Sequence, residues 1–303
     1  MSEPRRHHEP RRHHLVPQMH LKRFADHKRR IVMVSRDQKK RFPTDIRNAC
    51  VQTDYYAVET DNGRTQEVEK RLSHIESKAA AAIENILSGK FPPSEEDRVA
   101  IAVFIGFQCV RGDESRRGYE QLVDMMTKKN VVKYLRKQEG REPTEEEIKT
   151  QWLLLSNPDA TTIKQNQNAS IKIMFELGPK FAEYMVHRRW TLVDHGEPCL
   201  LTSDTPVARR SKPTGPGDFV VHGYGTADQI WMPLSPRHSL VLERKEELEE
   251  RVLHVGCKIG PELGAALNKL VAYNARRWIF HHPDTDPLRG ITLPPVDPVF
   301  RIG

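Results

Sequence analysis

From Ser94 to Arg111 the chain is apolar almost all the way round a helix. Val99, Ile101, Ala102, Val103, Phe104, Ile105 and Phe107 leave no broad polar face, so a helix here has to be surrounded by protein. Ser94-Glu95-Glu96-Asp97 supplies an N-cap and acids in the first turn, where the helix dipole favours negative charge. Gln108 and Arg111 end the segment, three apart and on one face. A buried guanidinium needs an anion. That partner is either a structural Asp or Glu, or the phosphate or carboxylate of a substrate.

The flanking sequence supplies the surroundings. Residues 66–87 read as a helix, with Val68, Leu72, Ile75, Ala79, Ala82, Ile83 and Ile86 at spacings of three and four. Further helices are expected around 117–139, 144–156 and 160–188, the last with an apolar stripe at Ile171, Met174, Leu177, Phe181 and Met185. Earlier, Arg30–Ser35 and Thr53–Glu59 read as strands, and Asp61-Asn62-Gly63 as a turn. After Trp190 the texture changes. Trp190–Val193 and Cys199–Ser203 read as a hairpin, Asp228–Met232 and Ser239–Glu243 as strands, Gly260–Asn274 as a helix and Arg277–His281 as a last strand. Residues 211–225, rich in Gly and Pro, read as a surface loop. The expectation is one compact α+β domain over 13–290, helical from about 66 to 188 and β-rich from about 189 to 282. A flexible basic tail, 1–12, precedes it and a Pro-rich tail, 283–303, follows.

Composition narrows the class. A chain of 303 residues that is 37% hydrophobic and 29% charged suits a protein with a wet surface. No run approaches the length of apolar sequence needed to cross a membrane, and the Arg- and His-rich start has no apolar core of a secretory signal. Cys50, Cys109, Cys199 and Cys257 lie far apart with no metal-binding spacing, so reduced thiols and a cytoplasmic location are expected. The net charge of +7 is unevenly placed. Residues 1–47 hold fourteen Lys and Arg against five Asp and Glu, so the remainder is slightly acidic. Such a basic region can meet the phosphates of nucleic acid or act as a solubilising tail.

His13-His14-Leu15-Val16-Pro17-Gln18 carries the most chemistry. Histidine titrates near neutral pH and its ring nitrogens bind metals. Pro17 suits the first turn of a helix, with Met19, Leu21 and Phe24 facing a core. Glu3–His8 is repeated perfectly as Glu9–His14, but only the second copy runs into Leu-Val-Pro-Gln, so His13-His14 is the pair of interest. Neighbours on an extended segment point to opposite sides, so one ring acts as base or ligand while the other is oriented or packs in the core. Glu69 and Glu76, seven apart, share a helix face; each is a ligand, an orienter of a His, or a solvated acid. Ser203-Asp204-Thr205-Pro206 follows an apolar strand and offers a nucleophile, a carboxylate ligand or a turn. His281-His282-Pro283-Asp284-x-Asp286 has the composition of a metal cluster but reads as surface.

The run His13–Phe24 resembles the signature His-His-x-Val-Pro-Gln-x-Tyr-Leu-Arg-x-Phe of a mainly bacterial family, the domain of unknown function 4238. His20 stands where the family has Tyr, and Lys22-Arg23 where it has Arg and a variable residue. Asp54-Tyr55-Tyr56, the helix with Glu69 and Glu76, Phe107-Gln108-x-x-Arg111, Thr202–Val207 and Pro233–Pro236 follow in the family's order. The resemblance implies that His13, His14, Gln18, Glu76, Gln108, Arg111, Ser203 and Asp204 meet in one site, and it brings no activity with it. His-His-Leu-Val-Pro is also similar to the opening of the His-Me finger nucleases, whose second His or Asn has a counterpart only in Asn48.

No dinucleotide fingerprint, Walker loop, zincin motif or nucleophile elbow is present. The expected function is hydrolysis of a phosphodiester, nucleic acid above all. His13 or His14 would be the base, with Gln18 and Ser203 beside them and Arg111 as anion clamp. Glu76 and Asp204 would hold a divalent metal, Mg, Mn or Zn. The alternatives are a non-catalytic module that binds nucleic acid or protein through its basic N-terminal region, and an enzyme acting on a small anionic metabolite.

Overall fold

The computed structural model describes residues 12–60, 63–65, 67–138, 144–156, 167–211, 223–244, 249–255 and 260–295. The first copy of the repeated hexapeptide, the turn residues Asp61 and Asn62, Cys257 and most of the Gly- and Pro-rich loop lie outside them.

The chain begins with strand β1 (Arg12–His14), helix α1 (Gln18–Leu21) and a 3-10 turn, Lys22–Phe24. Pro17 precedes α1, and its carbonyl accepts from the N–H groups of His20 and Leu21. Leu21 and Phe24 are fully buried as expected, and His20 is buried beside them. Strands β2 (Arg30–Ser35) and β3 (Arg41–Asp45) form a hairpin, followed by β4 (Val51–Thr53). β4 pairs antiparallel with β1, setting His13 opposite Gln52 and His14 opposite Val51. Thr53–Glu59 is not the continuous strand its residues suggested. Asp54 takes a left-handed conformation (φ 56°) and the chain turns through Tyr55 and Tyr56 before β5 (Val58–Thr60), which pairs with β6 (Gly63–Thr65). Asp is among the few residues that tolerate this conformation.

Five helices follow: α2 (Glu67–Leu87), α3 (Glu95–Val110), α4 (Asp113–Gln138), α5 (Glu145–Ser156) and α6 (Gln167–Val186). The Ser94 hydroxyl caps α3 by accepting from the N–H of Asp97. α3 is the central helix, with Ile101, Ala102, Phe104, Ile105 and Phe107 all buried. α2 covers one side of it, through the apolar stripe the sequence showed, and α6 the other. Gly106 permits the α6 contact, because a Cβ there would lie 2.4 Å from the Gly178 carbonyl oxygen. Small residues, Gly178 and Ala182, therefore share the buried face of α6 with Ile171, Met174 and Met185.

The remaining elements are β7 (Arg189–Asp194), β8 (Thr202–Ser203), β9 (Ala208–Arg210), β10 (Gln229–Pro233), β11 (His238–Glu243), β12 (Arg251–His254), α7 (Gly260–Asn274) and β13 (Trp278–His281). They form a five-stranded sheet in the order β12-β7-β11-β10-β9 and, together with β2 and β3, a four-stranded sheet in the order β3-β2-β13-β8. The expected hairpin of β7 with β8 does not form. β7 pairs along its length with β11 instead, while Cys199 and Leu200 bond the Pro236 carbonyl and β8 joins β13. The second sheet therefore joins the two ends of an α+β domain. His281 was expected at the surface with its neighbours. It is buried, and its Nε2 accepts from Arg41 Nη2 at 2.9 Å, while Arg41 also pairs with Asp286. Among the described residues no helix is long and apolar enough to cross a membrane.

Candidate functional site

Arg111 follows the last turn of α3 and is only 5% exposed. Its Nη1 donates to Glu76 Oε1 at 2.7 Å, its Nη2 to the His14 carbonyl at 2.9 Å and its Nε to the Tyr56 hydroxyl at 3.1 Å. Burial alone would lower the guanidinium pKa. Tyr56 and Glu76 outweigh it and raise it. All three edges of the fork are thus engaged inside the protein. The expected anion clamp is corrected by this geometry: the guanidinium is a hub that ties β1, α2 and α3 together, and its carboxylate is Glu76. Gln108, one turn earlier, is buried with its amide Nε2 unpartnered.

His13 lies against this hub. Its Nδ1 accepts from the backbone N–H of Tyr56 at 2.8 Å, so the neutral ring must carry its proton on Nε2. That nitrogen faces Glu69 Oε2 at 3.3 Å. The imidazole is buried, whereas the Glu69 side chain is 39% exposed, so the carboxylate is the member of the pair that meets solvent. Burial raises the Glu69 pKa, His13 opposes the rise and nearby Glu76 adds to it. The spacing of seven on α2 puts both acids within reach of β1.

His14 turns the other way, as strand neighbours do. Its Nε2 is buried without a partner. Burial lowers its pKa, although the backbone carbonyls of Arg47 and Ile46 and the charge of Glu76 act to raise it. Gln18, at the start of α1, is partly buried. Left-handed non-glycine residues bracket β4, Cys50 (φ 53°) on one side and Asp54 on the other. Such conformations are costly and cluster at ligand-handling positions.

Ser203 and Asp204 reach the same region from the second sheet. A Cβ at Gly112, the residue after Arg111, would lie 3.6 Å from the Asp204 carbonyl oxygen. Their side chains do other work, however. Ser203 Oγ accepts from the N–H of Thr205 at 3.1 Å, a local turn with no base beside the hydroxyl. Asp204 Oδ1 accepts from the N–H of Arg276 at 2.9 Å, and Oδ2 from Arg277 at 2.7 Å and Trp278 at 3.1 Å. Burial pushes its pKa up to about 6 against those three donors. His20 Nε2 meets Thr202 Oγ1 at 2.9 Å, and burial with the charge of Arg23 pushes its pKa down to about 3.

The donor set does not fit the expected metal. Glu76 is held by Arg111, both oxygens of Asp204 face backbone N–H groups, and the His13 and His14 rings diverge. Among the described residues no three His, Cys, Asp or Glu side chains gather as a metal ion needs. Cys50, Cys109 and Cys199 are free thiols. A surface cavity of 330 Å³ beside Arg41, Asp286 and Ile291 shares no residue with the cluster.

A family model described as "Protein of unknown function (DUF4238)" matches residues 12–285. The chain belongs to this family. The matched span runs from β1 past β13 and so contains the whole DUF4238 cluster, His13 to Asp204. No curated protein and no solved structure matches the chain. Two residues of the cluster were undervalued in the sequence. For Glu69 the sequence offered ligand, orienter of a His and solvated acid alike, and its signal was the spacing of seven from Glu76. Tyr56 read as part of a strand, and no local pattern announced that its N–H would fix a histidine.

Proposed function

We propose that this DUF4238 protein hydrolyses a phosphodiester, nucleic acid above all, with Glu69 as the general base and His13 as the group that positions it. The observation that supports this is the Glu69–His13 pair. A half-exposed carboxylate with a raised pKa is held at 3.3 Å by an imidazole whose tautomer a backbone N–H fixes. Carboxyl groups tuned upward by burial and oriented by a second group are suited to moving protons near neutral pH. Glu69 would take a proton from the water that attacks phosphorus while His13 Nε2–H keeps its syn or anti edge in place; the P–O bond to the leaving oxygen breaks as the new one forms, and solvent water protonates the departing alkoxide. His14, kept neutral by burial, lies on the other side of β1. Arg111 acts at a distance: it neutralises Glu76, so the second carboxylate does not repel an anionic substrate. The bonding of all three Arg111 nitrogens to protein groups favours one second reading, a non-catalytic module that binds nucleic acid or protein.

The test is turnover of bis(p-nitrophenyl) phosphate and labelled oligonucleotides by the full chain, with chelator and with Mg, Mn or Zn. Turnover that survives chelator is expected. Its kcat/KM should rise with pH through an apparent pKa above the ordinary glutamate value of about 4.3. Wild type inert on every diester under every condition would leave the binding module as the better account.

A further inference from the structure

A second feature lies beside this site. Arg12, Arg29 and Arg47 come from three separate stretches, and the backbone gathers them. Arg12 Nη2 donates to the Arg47 carbonyl at 3.4 Å and to Asn48 Oδ1 at 2.8 Å. The Ile46 N–H donates to the Arg29 carbonyl at 3.1 Å. Arg29 is exposed and left-handed (φ 61°), which throws its side chain out of the line of β2, and Lys28 beside it is exposed as well. Arg47 is 68% exposed and braced by Asp45, with its Nε on Oδ1 at 3.0 Å and Nη2 on Oδ2 at 3.1 Å. Arg30 is matched by Asp26 at 3.0 Å and adds no charge. Four cations, Arg12, Lys28, Arg29 and Arg47, therefore accompany one carboxylate, Asp45. The ridge lies on the His14 side of β1: the Ile46 and Arg47 carbonyls face the His14 ring, and Arg12, two residues before it on the strand, shares that side.

We propose that this ridge is the surface that holds the sugar-phosphate backbone of a nucleic-acid strand outside the Glu69–His13 site. The proposal rests on the phosphodiester reading and deepens it: the substrate is a polymer rather than a small metabolite. A small anion is held by donors that converge in a concavity. These four cations are all exposed, as contact with the phosphates of a polymer requires. Arginine suits phosphate contact better than lysine, and three of the four cations are arginines, although Asp45 already holds the Nε–Nη2 edge of Arg47.

The experiment uses the full chain carrying Glu69→Gln, so that bound strands stay intact. Fluorescence anisotropy follows labelled single-stranded DNA, single-stranded RNA and duplex DNA between 50 and 300 mM salt, the range over which about ten-fold and larger affinity changes are expected for several phosphate contacts. At least one of the three should bind, with affinity falling steeply as salt rises. Arg29→Ala and Lys28→Glu should each lower the log–log salt slope by about one. Lys28→Glu changes an exposed side chain, so it separates lost contacts from lost folding. No binding, slopes unchanged in both variants, or polyglutamate competing as well as an oligonucleotide of equal charge would each overturn the proposal. The two readings fail separately. A shifted slope without hydrolysis by the parent chain sinks the active site and leaves the ridge. Hydrolysis of a small diester with unchanged slopes sinks the ridge alone.

Discussion

Two buried polar clusters meet behind Arg111, and they differ in who satisfies them. On the sheet side, Asp204 is met by three backbone N–H groups and His20 by the Thr202 hydroxyl. Backbone partners cannot turn away, so these groups fasten β8 and the 276–278 segment in place. On the helix side, Glu69, Glu76, His13 and Arg111 are met chiefly by one another, and Glu69 keeps an edge in solvent. A carboxylate held by a side chain and open to water can change protonation and partner during a reaction; one caged by main chain cannot. The lesson is that residue type did not separate chemistry from architecture here. Asp204 and Glu69 are both acids with raised pKa values, and the nature of their partners and their access to solvent distinguish them.

The sheet side should govern acid stability. His20 is fully buried, and its pKa falls from 6.5 to about 3 on folding. The unfolded chain thus binds a proton that the folded chain refuses. The His20 contribution is complete above pH 6.5 and is lost as pH falls toward 3, by up to about 4–5 kcal/mol, partly offset by Asp204, whose pKa of about 6 lets the folded chain take up a proton before the unfolded one does. His20→Tyr should remove this loss between those limits. Chemical denaturation at a series of pH values reads this, and an unchanged acid limb would mean that the ring is not the group responsible.

The next effect sharpens the helix side. Arg111→Met removes the hub and leaves Glu76 beside buried groups, which should cost about 3–5 kcal/mol in urea unfolding. A loss under about 1 kcal/mol, the value of an exposed ion pair, would show that the cluster is not held together through the guanidinium.

A smaller loss is expected back on the sheet side. Asp204→Asn keeps one acceptor but turns an amide NH₂ toward the N–H groups of Arg277 and Trp278, or of Arg276. It should lower stability by about 1–3 kcal/mol, with any turnover per folded molecule unchanged. Turnover lost at full stability would move Asp204 into the reacting group and break the comparison.

Much of the fold was readable from pattern. An all-round apolar helix had to be central, and α7 ends where its apolar spacing and Asn274 end. That Glu76, Arg111 and the β1 histidines would lie together was expected from the family resemblance as much as from placement at element ends and buried faces. What was not readable depended on distant backbone. The β8 strand is two residues long, so its pattern could not reveal that its partner is β13 rather than β7. The roles of Asp204 and Ser203 were settled by N–H groups that no side-chain pattern encodes. The Glu69–His13 pair joins residues fifty-six apart through a turn at Asp54, whose left-handed backbone interrupts what reads as a β run.

The central claim is that Glu69 and His13 act as one unit, and a double-mutant cycle in kcat/KM tests it most directly. Wild type, His13→Gln, Glu69→Gln and the double variant would be compared on the same diester, each first shown to melt near wild type. Glu69→Gln should lose about 10²–10⁴-fold, His13→Gln less, and the double variant no more than Glu69→Gln alone, since a positioning group has nothing left to position. Losses that multiply in the double variant, or a Glu69→Gln protein that turns over like wild type, would contradict the account.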